Sequence, residues 1–375
     1  MKRFSVILWF ALVLTGLTME GCTQQPTPTQ TTFTATSQPA VPTATSTTVP
    51  VAKDQNLVIG MPISPRILDP DDLAPLSMAI FDLMYNKLIR VGTDGRLVPD
   101  LAESWEMVNP TTWRFHLRKG VKFHNGEEFN AETVKFTIEW NMDAKNNRLS
   151  RRGVPDVAKV NIVDSHTVDV TTTKPVGVQP TLLTIVYLLP AKYYARVGAQ
   201  NFNNAPVGTG PFEYVDWKRD EYIKLQANPE YWEGKPKLNN VEIKIIPEAS
   251  SRVAALKAGE VNLVYQLLPE QVDTVKTSGF EVKAVSIGQS YVFGFGRETL
   301  RAKPLQDKRV RQAIQHAVDM DAIIKGITGG MARKLDGQMA GPGVFGYSPD
   351  VRAYDYDPEK AKQLLTQAGY AQGFT

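Results

Sequence analysis

Apolar and polar residues alternate most clearly in the sequence TWRFHLRKGVKFHNGEEFNAETVKF at positions 112–136. Trp113, Phe115 and Leu117 are separated by polar residues, and this period of two predicts a strand with one buried face. His116 falls between the apolar positions and is therefore expected on the solvent face. The alternation resumes after a Lys-Gly turn, which predicts a second short extended segment.

A helix is predicted directly after this extended segment. Asn130 is placed as its N-cap, and Phe129 and Val134 have the spacing of a hydrophobic staple. His124 falls at the edge of the turn that precedes the helix. A zinc site needs three or four converging ligands, and the stretch has neither a CxxC nor an HExxH spacing. We therefore interpret it as scaffold, without a metal site.

Two apolar patterns and an acidic loop precede this stretch. LVIGM at positions 57–61 predicts a buried strand. The Pro- and Asp-rich SPRILDPDDLAPL at 64–76 predicts a loop. SMAIFDLMYNKLIRV at 77–91 predicts a helix, because its apolar residues lie close to helical spacing. These residues are Ile80, Leu83, Met84, Leu88 and Ile89.

The last third of the chain has helical periodicity with strong capping signals. In DKRVRQAIQHAVDMDAIIKGI, Asp307 is placed to cap one helix, and Asp319 or Asp321 to cap the next, which is expected to stop at Gly326. In YDPEKAKQLLTQAGY at 356–370, an aspartate cap is followed by proline at the first helical position, and a glycine is placed as the C-terminal cap.

Composition narrows the function. The chain has 375 residues, 42% hydrophobic and 22% charged, enough for two or three globular domains. A formal net charge of +3 with scattered basic residues gives no indication of nucleic-acid binding. Neither a Walker A nor a GxSxG motif occurs, and the adjacent acidic pairs do not suggest converging catalytic groups. We predict a protein that is not an enzyme and needs no cofactor.

The N-terminus has the features of an export signal. Two basic residues precede an uncharged, largely apolar run at 4–17, which is short for a membrane span. Cys22, the single cysteine, follows, and residues 1–22 resemble a bacterial lipoprotein signal peptide, although Glu20 departs from the usual lipobox. Positions 23–55 are rich in Thr, Pro and Ser and predict a disordered tether. The resemblance implies lipidation of Cys22.

Five sequence blocks occur in an order that resembles one protein family. The first contains the stretch described at the outset, the second contains GTGPF and NPEYW, the third is LKAGEVNLV, and the last two are the capped helices. Together they resemble the bacterial extracellular solute-binding proteins of family 5, the oligopeptide-, dipeptide- and nickel-binding components of ABC importers. The blocks lie at 97–136, 206–246, 256–264, 307–327 and 356–370.

The resemblance implies an α/β, two-lobed, periplasmic-binding-protein-like fold of type II, in its three-domain variant. Domain I is expected at 56–84 and 190–285, domain II at 85–189, and domain III at 286–375. Relatives continue past the position of Thr375, so the C-terminal part of the second lobe is expected to be missing.

The resemblance also implies a function in solute capture. We expect a monomeric lipoprotein on the outer face of the membrane, periplasmic or extracellular, that takes di- or oligopeptides into an interlobe cleft and delivers them to ABC permease subunits. A nickel chelate, an oligosaccharide, an opine or a sensory role remain alternatives. Seven residues are expected to contact ligand by motif position: Asp71, Asp72, Leu73, Gln266, Tyr291, Phe293 and Arg297.

Overall fold

The computed structural model describes residues 55–284, 295, 301–341 and 346–374. The strands of this part of the chain are β1 (Asn56–Met61), β2 (Ile89–Val91), β3 (Leu97–Pro99), β4 (Ala102–Asn109), β5 (Thr112–Leu117), β6 (Val157–Asp164), β7 (Thr167–Thr172), β8 (Phe212–Lys218), β9 (Tyr222–Ala227), β10 (Asn240–Ile245) and β11 (Leu263–Val264).

Helices precede, connect and follow these strands, with short 3-10 turns between some of them. The α-helices are α1 (Pro75–Met84), α2 (Ala131–Met142), α3 (Gln179–Leu182), α4 (Ala191–Phe202), α5 (Ala249–Lys257), α6 (Val272–Thr277), α7 (Lys303–Gln306), α8 (Lys308–Ala317), α9 (Met320–Thr328) and α10 (Pro358–Gln367). Among the described residues, no helix has both the length and the apolar composition that a bilayer crossing requires.

A mixed five-stranded sheet has the order β11-β1-β10-β9-β8. Strand β1 pairs in parallel with β10 on one side and β11 on the other. Strand β9 runs antiparallel to β10 and to β8. The apolar side chains of this sheet, among them Ile223, Leu225, Val241 and Ile243, form one hydrophobic cluster with helix α1 and the segment 187–202.

A second, antiparallel sheet has the order β4-β5-β7-β6. Its buried face packs with helix α2 around Phe115, Phe129, Val134 and Val168 in a separate cluster that lies between Leu88 and Leu188 in sequence. The strand β5 buries Phe115 and Leu117 as its alternation predicts, and Trp113 packs half-buried against the same cluster. The predicted faces of this strand are therefore confirmed.

The helix caps were predictable from sequence. The Asn130 side chain accepts hydrogen bonds from the backbone N–H groups of Glu132 (3.0 Å) and Thr133 (3.3 Å) at the start of α2. Asp307, Asp319 and Asp357 cap α8, α9 and α10 in the same way. Pro358 opens α10, and Gly369 follows it with a φ of 86°.

Two predicted helix limits were wrong. Helix α1 ends at Met84, because Tyr85 adopts extended backbone and Leu88 instead accepts a strand-like bond from Ala102 N–H at 2.9 Å. The apolar spacing continues past this point because Leu88, just before strand β2, and Ile89, its first residue, are both buried. Helix α9 passes through Gly326 and ends before Gly329, whose φ of 58° gives the left-handed cap.

Candidate functional site

The mixed sheet gathers four connections at one edge. Strands β1, β10 and β11 are parallel, so the loops at 62–74, 246–248 and 265–268 all leave from their carboxyl ends. The turn at 219–221 between β8 and β9 lies at the same edge, because Tyr222 pairs with Lys244 near the end of β10. Open α/β sheets bind ligands at this edge of their parallel strands. We therefore take these four loops as the candidate site. They are called the sheet edge, in the sense of the end of the sheet at which β1, β10 and β11 finish.

Gln266 is an exposed residue of the sheet edge with an unusual backbone. Its φ is 58°, a left-handed conformation that is uncommon for a residue with a Cβ. Its carbonyl oxygen accepts a hydrogen bond from Nη2 of Arg252 at 3.0 Å. The structure thus presents the Gln266 side chain to solvent on a fixed and strained backbone.

Arg252 is the buried residue that joins two of these loops. Its Nη1 donates to the carbonyls of Ile246 (2.8 Å) and Pro247 (2.7 Å) after β10, while Nη2 reaches Gln266 after β11. Burial of the guanidinium lowers the pKa of Arg252. Sequence reasoning missed this residue, because its partners are carbonyl groups that no side-chain motif identifies.

The first half of the loop at 62–74 presents apolar surface. The side chain of Ile63 is 47% exposed, and Leu268 on the loop after β11 is 41% exposed. Trp217 Nε1 donates to Ser64 Oγ at 3.4 Å, and Arg219 donates to the Arg66 carbonyl, so the β8–β9 turn supports this half. The sheet edge therefore combines the apolar side chains of Ile63 and Leu268 with the polar side chain of Gln266, a combination typical of pockets for small organic ligands.

The acidic residues of the same loop are occupied within the chain. Asp71 accepts hydrogen bonds from Leu149 N–H (3.0 Å), Ser150 N–H (2.9 Å) and Ser150 Oγ (2.7 Å). Asp72 accepts from Ala74 N–H (3.1 Å) and Ser77 Oγ (2.9 Å) at the start of α1. Both carboxylates are buried and fix the loop, so direct contact with a ligand stays a prediction for them.

The second half of the loop is held by a buried ion pair. Arg148 Nη1 lies 2.7 Å from Asp69 Oδ2, and the Tyr194 hydroxyl donates to the same oxygen. The backbone N–H groups of Leu68 and Asp69 donate to the side-chain oxygen of Asn203. Burial raises the pKa of Asp69, and the same cause raises that of Tyr194.

The structure brings together only some of the expected contact residues. Leu73 is half-buried beside the occupied aspartates, and Gln266 shares the sheet edge with this loop. Tyr291, Phe293 and Arg297 lie outside the described residues, as does Cys22.

The histidines of the stretch at 112–136 have the roles of scaffold residues. The Nδ1 of His124 accepts a hydrogen bond from Gly208 N–H at 3.2 Å, and Nε2 lies 3.0 Å from the Gly210 carbonyl. Burial lowers the pKa of His124. His116 lies half-exposed, 3.6 Å from Glu106. Within the described part of the chain, no group of three His, Cys, Asp or Glu residues could hold a metal ion.

These features define a class of protein. The sheet order, the inserted second sheet and the loops at the carboxyl edge are those of the α/β, two-lobed periplasmic-binding-protein-like fold. The groups at the edge, an amide, apolar side chains and anchored carbonyls, can bind a solute.

The family follows from direct comparison. Residues 96–375 match the model of the bacterial extracellular solute-binding proteins, family 5 Middle, and the chain belongs to this family. It is 32% identical to the dipeptide-binding protein of Escherichia coli K12 over 320 residues, which is 78% of this chain and 59% of that protein. It is 33% identical to heme-binding protein A of Haemophilus influenzae over 324 residues, 78% of this chain and 57% of the relative.

A solved structure has the same fold. The periplasmic binding protein DppA of Helicobacter pylori, in complex with the peptide STSA, superposes with a TM-score of 0.67 at 26% identity. The match covers 85% of this chain and 67% of that one. The chain spans less than two thirds of the length of the two relatives.

Proposed function

We propose that the protein is the substrate-binding component of an ABC importer and captures di- or oligopeptides at the sheet edge. The observation that carries the proposal is Gln266, whose strained backbone is held by Arg252 and which lies on the same sheet edge as the exposed apolar residues Ile63 and Leu268. Its amide offers both a donor and an acceptor, which suits the polar backbone of a peptide. The dipeptide-binding relative and the peptide-bound DppA structure support this substrate class.

Domain limits belong to the same proposal. The cluster between Leu88 and Leu188 supports a domain II at 85–189, and the cluster around the mixed sheet supports a domain I formed by 56–84 and 190–285. We assign the helices from α7 onward to domain III at 286–375. Hinged closure over the solute would follow the usual behaviour of such proteins.

Binding is tested by calorimetric titration of the purified protein with di- to pentapeptides. Gln266→Ala should weaken peptide binding about five- to tenfold, the effect of one lost hydrogen bond. The matched control is Gln226→Ala, an exposed glutamine on strand β9 whose amide bonds to Glu213. Equal affinities for both variants and the wild type would remove Gln266 from the site.

The solute class is tested in the same assay. Hemin, nickel–histidine, an opine and an oligosaccharide are titrated beside the peptides, because a relative of similar identity is named as a heme-binding protein. Binding of one of these, with no peptide bound, would reassign the solute. Light scattering of the purified protein tests the proposed monomer.

Anchoring is proposed from sequence alone. We propose that Cys22 is lipidated and holds the protein on the outer face of the membrane, so Cys22→Ser should move the protein from the membrane fraction to the soluble one. Thr23→Ser, which keeps the thiol, serves as the control. A wild type found equally in the soluble fraction would contradict the anchor.

A further inference from the structure

A tight turn at 123–127 contains the one Asn-Gly pair of the sequence, Asn125-Gly126. Two backbone hydrogen bonds close the turn, from Phe123 N–H to the Glu127 carbonyl and from Gly126 N–H to the Phe123 carbonyl, each at 2.8 Å. Asn125 and Gly126 are both exposed, and the proposed peptide function uses neither. The turn therefore offers an accessible side-chain amide next to a residue without a side chain.

The side-chain carbonyl of Asn125 is polarised by the backbone of the turn. Its Oδ1 accepts a hydrogen bond from the Glu127 N–H at 3.1 Å. When a nucleophile adds to Cγ of Asn125, negative charge develops on this oxygen, and a donor already in place stabilises it, as in an oxyanion hole. The folded turn thus prepares the amide carbon of Asn125 for attack.

The nucleophile next to this carbon is the backbone nitrogen of Gly126, because a bond between the two closes a five-membered ring. Gly126 has a φ of 82°, and a Cβ added to it would meet no atom within 4 Å, so the space beside it is open. Its hydrogen bond to the Phe123 carbonyl must open before the nitrogen can lose its proton. Exposed turns open locally at little cost in free energy, so the reaction needs no global unfolding.

Three other asparagines of the described residues have the same side-chain arrangement and lack the glycine. In Asn109, Asn130 and Asn228, Oδ1 accepts the N–H two positions ahead at 3.0 Å. Proline follows Asn109 and Asn228, and its nitrogen has no proton to lose. Ala131, which follows Asn130, is buried in the first turn of α2, where the helix holds its backbone. Asn125 is therefore the member of this set that precedes an exposed glycine nitrogen.

We propose that Asn125 is a site of spontaneous deamidation. The Gly126 nitrogen gives its proton to hydroxide and bonds to Cγ of Asn125, the Cγ–Nδ2 bond breaks, and the leaving nitrogen takes a proton from water to form ammonia. Water then opens the cyclic imide at either carbonyl. Opening at Cγ leaves aspartate, and opening at the backbone carbon leaves isoaspartate. This reaction is independent of peptide capture at the sheet edge.

The isoaspartate product acts on helix α4 through Glu127. One carboxylate oxygen of Glu127 accepts the Lys192 N–H (2.8 Å) and the other accepts the Tyr193 N–H (3.1 Å), so Glu127 caps the first turn of α4 from outside the helix. Pro190, at the N-cap position, makes no side-chain cap. Isoaspartate adds a methylene to the backbone beside Glu127, because the chain then runs through Cγ. It therefore displaces the Glu127 carboxylate and loosens the start of α4.

The test is peptide mapping by mass spectrometry of the purified protein after storage at neutral and at mildly alkaline pH. Asn125 should convert at least about tenfold faster than Asn130. Conversion should be faster at the higher pH, since the attacking nitrogen must lose its proton. Asn125→Gln is the control, because its longer side chain would have to close a less favourable six-membered ring, and it should stay unconverted. Equal conversion at Asn125 and Asn130, or an unchanged Asn125, would overturn the proposal.

Thermal unfolding of the stored protein tests the link to α4. Wild type that has accumulated isoaspartate should unfold at a lower temperature than fresh protein, and stored Asn125→Gln should not change. Fresh Asn125→Asp, which has the new charge without the added methylene, should unfold close to the fresh wild type. An unfolding temperature lowered equally in fresh Asn125→Asp would assign the effect to charge and contradict the displaced cap. An unchanged temperature in the converted wild type would refute the part played by Glu127.

Discussion

The region at 55–284 and the helical region at 301–374 share the same local signals and differ in burial. Both contain α-helices that begin with an asparagine or aspartate cap, Asn130 in the first and Asp307, Asp319 and Asp357 in the second. All the hydrophobic clusters of the described residues lie in the first region. In the second, the buried apolar residues are Leu305, Val310, Ala313 and Ala361.

The difference separates what forms a helix from what holds it in place. A side-chain cap marks the start of a helix in both regions, because it acts within a few residues. The main stabilisation of a helix in a protein comes from packing of its apolar face. Helix α9 has no buried residue, and Ile327 within it is 71% exposed, so its position depends on local bonds.

The largest predicted effect on the free energy of unfolding comes from truncating a buried apolar side chain. Phe115→Ala should lower the free energy of unfolding by about 3–5 kcal/mol, because Phe115 is fully buried in a large cluster. Val310→Ala, a buried residue of α8, should cost only about 1.6 kcal/mol, since it removes two methylene equivalents. Urea unfolding followed by circular dichroism gives both values. Equal losses would show that the helical region is as tightly packed as the first.

Glycine substitutions should have opposite signs in the two regions. A Cβ on Gly208 would overlap the Met84 carbonyl at the end of α1, so Gly208→Ala should cost about 3 kcal/mol. A Cβ on Gly326 meets no atom within 4 Å in the middle of α9. Gly326→Ala should therefore stabilise that helix by about 0.5–1 kcal/mol. Thermal unfolding measures both, and a loss in Gly326→Ala would contradict the open packing of α9.

Helix caps should have similar effects in both regions. Asn130→Ala and Asp357→Ala each remove a side-chain acceptor from the first turn, and each should cost about 1 kcal/mol. None of the six tryptophans lies at 301–374, so tryptophan fluorescence follows the first region and circular dichroism follows both. If Asp357→Ala shifts only the circular dichroism transition, the two regions unfold separately. A shift in both signals would show that they unfold together.

Two groups of the first region, His124 and Asp100, should contribute to the response to pH with opposite signs. Burial lowers the pKa of His124 in the folded protein. As the pH falls below about 6.5, the unfolded chain therefore binds a proton at this residue more readily than the folded protein, and the free energy of unfolding decreases. Burial raises the pKa of Asp100 to about 6, so this group adds stability as the pH falls from there toward about 3.9.

The two contributions are separated by variants. As the pH falls from 7 to 5, the free energy of unfolding of His124→Gln should rise relative to that of the wild type. Over the same range, that of Asp100→Asn should fall relative to the wild type. Chemical unfolding at several pH values, followed by tryptophan fluorescence, measures both slopes. The same slope in the wild type and both variants would assign the response to other groups.

The smallest predicted effect is at His116. Its side chain is 44% exposed, and its ion-pair contact with Glu106 is on the surface. His116→Ala should therefore change the free energy of unfolding by no more than about 0.5 kcal/mol. A larger loss, or a loss of solute affinity, would show that the solvent face of β5 has a function.

Sequence patterns predicted the features that depend on neighbouring residues. The faces of strand β5 and the Asn130 cap belong to this group. The residues that shape the candidate site do not, because Asp69 and Arg148 are 79 positions apart and Asn203 lies 135 positions from its partner Leu68. No local periodicity indicates such pairs. The family resemblance gave the fold, and it did not identify the buried groups around the loop at 62–74.

The pairing of β1 with β10 has a consequence for the newly synthesised chain. Asn56 and Asn240 bond across this pair and are 184 positions apart. At about 5–20 residues per second, the apolar strand β1 waits roughly 10 to 40 s on the ribosome before its partner exists. Such high contact order slows folding and leaves an unpaired strand edge exposed during that time. We therefore expect β1 to be without its partner β10 until the chain has been made as far as residue 245.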